Sequence, residues 1–268
     1  VIGFGGYACP PIYLAAALLR KPIFIHEANA IPGWANRLGA VFASEIFIAF
    51  TRTQKKLGRW RSAKLSGMPI RAEIIAAANL SPDESTRIKS NQLEKWNLSK
   101  TKPTILVFGG SQGSRHINEA ILQSLSAFTE KGVQVVHSIG RSNALPTSTE
   151  NYLPLSYIDD MSSAYHAADL IIARSGALTC AELAAVGKFA ILIPLPIGNG
   201  EQSANAFDLQ EAGAAELVAD NKFNADWLIS NWDEIWRKAS NFKPVKQGEF
   251  SASEIIGKMI IDCVGNRK

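Results

Sequence analysis

A glycine turn followed by a threonine and a glutamate gives this sequence its clearest chemical signal. The apolar, β-branched run at 168–173 predicts a buried parallel strand, and Ser175-Gly176 ends that strand just before a helix. A helix N-terminus offers unpaired backbone N–H groups and the positive end of the helix dipole, which suit a phosphate. Thr179 and Glu182 are three residues apart and share a helix face. A carboxylate there could accept hydrogen bonds from both hydroxyls of a ribose; an ordinary strand–helix turn with a surface glutamate stays open as the alternative.

A second glycine-rich segment lies between a predicted strand at 105–108 and a predicted helix at 117–128. Its sequence, Gly109-Gly110-Ser111-Gln112-Gly113, fits a phosphate-binding loop but lacks the lysine of the P-loop of nucleoside triphosphatases. It also fits the G-x-S-x-G nucleophile elbow of serine hydrolases. A hydrolase of that kind needs a histidine base near the C-terminus, and no histidine follows His166, which argues against it. A purely structural turn stays open.

These segments belong to two series in which strands alternate with helices. Such alternation predicts parallel sheets with helices on both faces, so the fold class is α/β, with two Rossmann-like, doubly wound domains facing a cleft. We assign 1–72 and the returning segment 249–268 to the first domain and 104–248 to the second. The polar segment 73–103 is expected to be an interdomain linker with few buried contacts.

Polar residues follow the predicted strands of both domains. Asn29 and Arg71 come after strands of the first domain, and the loop at 200–202 comes after a strand of the second. Ligands of open α/β sheets bind at the carboxyl ends of strands, although loop residues facing water are the alternative for Asn29 and Arg71. In the second domain, the two glycine turns, Glu182 and the 200–202 loop can converge on one ligand. A diphosphate, a ribose and a hydroxyl-rich group together describe a nucleotide sugar.

Composition limits the class of protein. The chain has 268 residues, 47% of them hydrophobic and 19% charged, and a net charge of +4 that fits an acidic substrate or an anionic membrane surface without indicating nucleic acid. Its three cysteines, an odd number and widely spaced, predict neither disulfides nor a zinc site and favour a reducing cytoplasm. The four histidines form no metal motif, and no apolar run approaches the roughly 18 residues that span a bilayer. Because Val1 lies at what looks like the end of a strand, we expect that N-terminal residues are missing.

Six segments in this order resemble one family closely. The family comprises the bacterial N-acetylglucosaminyltransferases of glycosyltransferase family 28, which convert the undecaprenyl-diphosphate-muramoyl-pentapeptide lipid I into lipid II. The resemblance spans nearly the whole chain and implies a GT-B fold and an inverting transfer with no metal and no other cofactor. The implied partners are UDP-N-acetylglucosamine, lipid I and the cytoplasmic face of the inner membrane, with no nucleic acid. The segments are Gly5-Gly6-Tyr7, His26-Glu27-Ala28-Asn29, Gly109-Gly110-Ser111-Gln112-Gly113, Tyr157-Ile158-Asp159-Asp160-Met161, Arg174-Ser175-Gly176-Ala177-Leu178-Thr179 and Glu201-Gln202-Ser203-Ala204-Asn205.

The resemblance also implies roles for particular residues. Ile158 presents backbone groups to the uracil, Glu182 holds the ribose, Ser111 and the 176–179 turn cradle the diphosphate, and Gln202 contacts sugar hydroxyls. The full set of implied donor-site residues is Asn29, Arg71, Ser111, Ile158, Arg174, Ser175, Gly176, Ala177, Leu178, Thr179, Glu182, Gln202 and Asn205. The implied acceptor-side residues are Gly5, Gly6, Tyr7, His26 and Glu27.

The sequence departs from the family pattern at several positions. Glu201 stands where the family usually has a second glutamine, Cys9-Pro10 replaces Ser-Gly, and Ala17 stands where some members expose an aromatic residue to the membrane. The family's first glycine loop, which carries the histidine proposed as general base, falls upstream of Val1. We therefore assign no catalytic residue and expect the chain to bind UDP but transfer little sugar. The alternatives are another GT-B transferase, a UDP-N-acetylglucosamine epimerase or a UDP-sugar-binding protein without catalysis.

Overall fold

The computed structural model describes residues 1–55, 62–244 and 251–265. The predicted boundary between 248 and 249 lies outside the described residues. Within these ranges the strands form two sheets, and every pairing between named strands is parallel, which confirms the predicted α/β class with two parallel-sheet units. The first sheet has the order β1-β2-β3-β4 and the second the order β10-β9-β8-β5-β6-β7.

The strands are β1 (Ile2–Gly3), β2 (Phe24–Glu27), β3 (Glu45–Ile48), β4 (Lys64–Leu65), β5 (Thr104–Phe108), β6 (Gln134–Ser138), β7 (Tyr152–Leu155), β8 (Leu170–Ala173), β9 (Ala190–Leu192) and β10 (Ala215–Leu217). The helices of the first half are α1 (Cys9–Leu18), α2 (Trp34–Gly39), α3 (Thr51–Lys55), α4 (Ala72–Ala78), α5 (Pro82–Lys95) and α6 (Arg115–Glu130). The remaining helices are α7 (Met161–Ala167), α8 (Ala177–Val186), α9 (Glu201–Asn205), α10 (Phe207–Glu211), α11 (Ala225–Ser230), α12 (Trp232–Asn241) and α13 (Ala252–Gly265).

The second sheet is buried on both faces, as its continuous apolar strands predict. Alternate residues of β5 enter different cores: Ile105 and Val107 pack on one face, and Leu106 and Phe108 pack on the other. The strand order reverses between β8 and β5, which makes a topological switch point. Because ligands of doubly wound sheets bind at such a crevice, the fold directs attention to the loops that leave β5 and β8.

The segment expected to be a sparsely packed linker is folded onto the second domain, so that expectation is wrong. It forms α4 and α5, whose Ile74 and Leu93 are buried in the core that contains Leu106. A capping box at Ser81 begins α5. The polar composition was misleading because α5 also makes polar contacts: Lys89 forms an ion pair with Asp169 on the second domain.

The C-terminal helix α13 returns to the first sheet. Ile256 packs there against Phe24 and Phe47. The edge strand β7 ends at Leu155 and includes Pro154, and a proline is tolerated there because β7 lies at the edge of the second sheet.

Candidate functional site

The glycine loop after β5 is shaped by close backbone contacts. A Cβ on Gly109 would lie 2.4 Å from the Ser114 nitrogen, and a Cβ on Gly113 would lie 1.9 Å from the Ile139 carbonyl oxygen. Gly113 also has a φ of +77°, which favours glycine. Ser111 is exposed at the loop tip, and its carbonyl accepts a hydrogen bond from the Arg141 nitrogen at 3.3 Å. The loop is therefore held close to the end of β6 and presents Ser111 outward.

Two helices begin beside the switch point. Ser114 caps α6, and Gly176 caps α8 in an extended conformation with no side-chain cap. The Ser175 hydroxyl, just before α8, is fully buried and has no hydrogen-bond partner among the described residues. Gly187 ends α8 in the left-handed conformation, at a φ of 62°. The two N-termini together provide backbone N–H groups and positive dipole ends suited to a diphosphate.

Glu182 is the buried carboxylate of this site, which rules out its alternative as a surface glutamate. It is 3% exposed. Its Oε1 accepts hydrogen bonds from Nη2 and Nε of Arg71 at 2.9 and 3.3 Å, and its Oε2 accepts one from the Tyr165 hydroxyl at 2.8 Å. Burial alone would lower the pKa of Arg71, but the hydrogen bond and charge of Glu182 outweigh it and raise that pKa. Burial, with the carboxylate beside it, raises the pKa of Tyr165 well above its usual value.

The guanidinium of Arg174 forms hydrogen bonds with other groups of the protein. Its Nη1 donates to the carbonyls of Ile193 and Pro194 at 3.2 and 3.4 Å and to Asp220, and its Nη2 donates to the Ser114 hydroxyl at 2.8 Å. The side chain is 11% exposed. Arg174 therefore ties the ends of β8 and β9 to the start of α6. Its predicted contact with the donor stays a prediction, while the structure shows its side chain to be a support for the loops.

Asn29 and Asn205, both predicted donor-site residues, contact each other between the two domains. The Asn205 Nδ2 donates to Asn29 Oδ1 at 3.1 Å, and Asn205 Oδ1 accepts from the Ala30 nitrogen at 2.8 Å. The Asn29 carbonyl accepts from the Thr53 hydroxyl at 3.1 Å. Gln202, one turn before Asn205, accepts from the Leu195 nitrogen at 3.0 Å. The carboxyl ends of the first sheet therefore meet α9 of the second domain.

Ile158 lies in the loop after β7 and is 5% exposed, packed in the core. Its neighbour Tyr157 carries the Arg141 guanidinium over its ring, with Cζ 4.0 Å from the ring centroid. Sequence reasoning missed Arg141, although its place after β6, at the same sheet edge as Ser111, is a signal that could have found it. It also missed Tyr165 and Asp220, because only the fold brings them to Glu182 and Arg174.

The predicted acceptor-side residues other than His26 line a cavity of about 170 Å³ in the first domain, and a second cavity, of about 370 Å³, lies in the second domain.

The two cavities are separate. The larger one, of about 370 Å³, belongs to the second domain and is lined by the loop after β9 and by Asp220. The smaller one, of about 170 Å³, belongs to the first domain and contains the acceptor-side residues named above. The structure therefore groups Gly5, Gly6, Tyr7 and Glu27 around one opening, next to Asn29.

Glu27 and His26 are both buried at the end of β2. Glu27 accepts hydrogen bonds from the backbone nitrogens of Asn29 and Gly33 at 2.9 and 3.0 Å and from Asn36 Nδ2 at 2.9 Å. The His26 Nε2 donates to the Gly67 carbonyl at 2.9 Å, and burial lowers its pKa. Glu27 thus shapes the cavity wall, whereas His26 supports the turn after β4 and does not line the cavity.

Comparisons with known proteins agree with this geometry. The model of the glycosyltransferase family 28 C-terminal domain matches residues 104–258, and the model of the N-terminal domain of that family matches residues 1–48. A Corynebacterium glutamicum protein is 44% identical over 100% of this chain and 73% of its own length; its name is UDP-N-acetylglucosamine–N-acetylmuramyl-(pentapeptide) pyrophosphoryl-undecaprenol N-acetylglucosamine transferase. A Corynebacterium diphtheriae protein of the same name is 41% identical over 99% of this chain and 72% of its own length.

This chain belongs to glycosyltransferase family 28. The crystal structure of Acinetobacter baumannii MurG has a TM-score of 0.70 and 26% sequence identity, and the match covers 97% of this chain and 72% of that one. A UDP-GlcNAc 2-epimerase from Neisseria meningitidis has a TM-score of 0.60 at 16% identity over 98% of this chain and 75% of that one, so that likeness shows the fold alone. The GT-B fold expected from the family resemblance is confirmed.

As a family 28 chain, the protein brings several of its predicted donor residues to the switch point of the second sheet. Ser111, the 174–179 segment and Glu182 lie around the switch point, and Arg71 reaches Glu182 from the first domain. The serine hydrolase alternative gains no support, because each histidine ring is engaged elsewhere; their partners are Gly67, Phe223, Asn118 with Tyr152, and Ser85. The described residues contain no group of three or more His, Cys, Asp or Glu side chains that could hold a metal ion.

Proposed function

We propose that this family 28 chain transfers N-acetylglucosamine from UDP-N-acetylglucosamine to the C4 hydroxyl of the undecaprenyl-linked muramoyl pentapeptide lipid I, giving lipid II for peptidoglycan synthesis. The names of relatives that are 41% and 44% identical support this activity. The observation that carries it is the buried carboxylate of Glu182 on α8, just beyond a helix N-terminus at the switch point. That arrangement suits a ribose and a diphosphate on one nucleotide.

The proposed reaction is a single displacement. The acceptor hydroxyl forms a bond to the anomeric carbon while the bond from that carbon to the UDP oxygen breaks, so the configuration inverts. Negative charge develops on the departing diphosphate, and the N-termini of α6 and α8 stabilise it together with a cation such as Arg71. The proton of the hydroxyl passes to a general base, a role that the family resemblance gives to a histidine of the family's first glycine loop.

We further propose that the first domain docks on the cytoplasmic face of the inner membrane. The C-terminal end of α1 supports this, since Leu18 and Leu19 are 85% and 70% exposed and Arg20 and Lys21 follow them. Exposed apolar side chains beside basic ones favour an anionic lipid surface. Among the helices in the described ranges, none is long and apolar enough to cross a membrane.

The test combines donor binding with product analysis. Titration calorimetry should show binding of UDP and UDP-N-acetylglucosamine and no comparable binding of GDP-mannose. The protein is then incubated with UDP-N-acetylglucosamine and a lipid I analogue, with and without a relative's N-terminal segment joined to Val1, and the products are separated. Lipid II in either arm supports the proposal, UDP-N-acetylmannosamine would support an epimerase, and donor binding without either product in both arms would support a binding protein. Absence of UDP binding would refute the donor site itself.

A further inference from the structure

Both oxygens of the Glu182 carboxylate already have protein partners. Arg71 donates two hydrogen bonds to Oε1, and Tyr165 donates one to Oε2. The side chain of Glu182 is 5% exposed, so little of it is open to any other donor. If this carboxylate accepts the two hydroxyls of a ribose, as the proposed function requires, the ribose must compete with at least one of these partners.

The two partners differ in their freedom to move. Tyr165 is fully buried, and its ring packs edge-on against Phe108 with a centroid distance of 6.2 Å. Arg71 lies in the connection between β4 and α4, and its side chain is 42% exposed. A ribose can therefore displace Arg71 at the cost of one ion pair, whereas displacing Tyr165 would disturb a packed core.

The position expected for the diphosphate is close enough to offer the displaced guanidinium a new partner. Glu182 is five residues beyond Ala177, the first residue of α8, which corresponds to about 7.5 Å along the helix axis. The diphosphate is expected at that N-terminus, opposite Ser111. Arginine binds phosphate oxygens well because its planar guanidinium can donate two parallel hydrogen bonds.

We propose that Arg71 exchanges partners during donor binding, leaving Glu182 for the diphosphate as the ribose takes its place. The proposal rests on the proposed function, which assigns Glu182 to the ribose. It makes the site selective for the nucleoside diphosphate. UDP replaces the ion pair that it breaks with an arginine–phosphate contact, whereas uridine breaks the ion pair and offers Arg71 no anion. Binding of the ribose and binding of the diphosphate are thereby coupled through the Arg71 side chain.

The test is whether one substitution changes the affinity for uridine and the affinity for UDP in opposite directions. In Arg71→Met, the carboxylate loses its competing partner and the diphosphate loses its cation. Calorimetry should show that uridine binds at least 3-fold more tightly and UDP at least 10-fold more weakly than in the unmodified protein. In a Glu182→Gln background the ion pair is absent, so adding Arg71→Met should no longer tighten uridine binding.

The matched control is Arg52→Met, which removes another arginine between the domains. Arg52 lies over the Phe207 ring, and the partners of Glu182 among the described residues are Arg71 and Tyr165. Loss of Arg52 therefore reports on loosening between the domains and should not change the affinities for uridine and UDP in opposite directions. Thermal unfolding checks that each variant is folded. Should Arg71→Met fail to fold, Arg71→Lys replaces it and should give the same pattern with smaller changes, because lysine pairs as a single point charge.

The outcomes separate this proposal from the proposed function. If the unmodified protein does not bind UDP, the proposed function fails. If it binds UDP and Arg71→Met leaves uridine binding unchanged or weaker, the partner exchange is wrong and Arg71 acts only as a scaffold or a phosphate ligand. The same conclusion follows if Arg52→Met also tightens uridine binding and weakens UDP binding.

Discussion

Arg174 offers a direct test of whether a predicted ligand contact is a structural support. We consider Arg174→Lys, which keeps the positive charge but replaces the guanidinium with a single ammonium group. The guanidinium donates to Asp220, to Ser114 and to two backbone carbonyls, in three separate segments. A lysine ammonium has its donors on one nitrogen, so it does not reproduce the fork in which Nη1 binds Asp220 and Nη2 binds Ser114.

The expected loss follows from these contacts. The side chains of Arg174 and Asp220 are 11% and 19% exposed, so the ion pair is largely shielded from solvent. A hydrogen bond to a charged group contributes about 1.5–3 kcal/mol, and lysine should lose one or two of the four. We therefore expect Arg174→Lys to lower the free energy of unfolding by about 1.5–6 kcal/mol. UDP binding should weaken as well, because the β9 loop and the N-terminus of α6 lose a common tether.

The assay is urea unfolding followed by tryptophan fluorescence, with UDP titration on the same samples. Trp227, Trp232 and Trp236 lie in the second domain and report on its transition. The control is Arg87→Lys on the exposed side of α5, which should change neither quantity. If Arg174→Lys leaves stability unchanged yet weakens UDP binding more than 10-fold, Arg174 contacts the donor directly and our reasoning is refuted.

Four further predictions use other parts of the structure. Glu182→Ala should weaken UDP binding by about 1.5–3 kcal/mol in calorimetry, the usual value for hydrogen bonds to a charged group; unchanged affinity would contradict the ribose assignment. Asn205→Ala should lower unfolding stability by about 1–3 kcal/mol in urea, because the buried Ala30 N–H loses its acceptor; an unchanged midpoint would contradict this. The double change Leu18→Ser and Leu19→Ser should reduce sedimentation with anionic vesicles at low salt, and equal retention would exclude this end of α1. Burial lowers the pKa of His137 to about 4, so the unfolded protein binds more protons than the folded one between about pH 4 and 6.5, and the free energy of unfolding should fall as pH falls through that window. His137→Gln should make this fall shallower in urea titrations at several pH values. An identical slope in the variant would contradict this prediction.

The sequence was most informative where a local pattern determines the local structure. Continuous apolar runs predicted the buried strands β5 and β8, because the apolar character of a buried parallel strand is visible in its own residues. The prediction for the polar segment 73–103 was wrong for the opposite reason. Its polar surface predicted a linker, yet Leu93 and the ion pair of Lys89 with Asp169 anchor α5 to the second domain, and these contacts depend on distant partners.

The candidate site shows the same limit more sharply. Motifs identified Arg71, Glu182, Asn29 and Asn205 individually, but no spacing in the chain indicates that they contact one another in pairs across the domain interface. Arg71 and Glu182 are separated by 111 residues, and Asn29 and Asn205 by 176. Only the packing of the two sheets determines such pairs, which is why Tyr165, the third member of the Glu182 group, went unpredicted.

These two pairs have a consequence for how the protein handles its donor. Residues predicted to bind the nucleotide are also residues that hold the two domains together, at Arg71 with Glu182 and at Asn29 with Asn205. A ligand that accepts or donates a hydrogen bond in place of one member of either pair breaks a direct contact between the domains. The two domains are then connected at that point through the ligand. Donor affinity and domain arrangement are therefore linked, and a substitution in one pair should change both. A residue that served the ligand alone would change the affinity and leave the domain arrangement as it is.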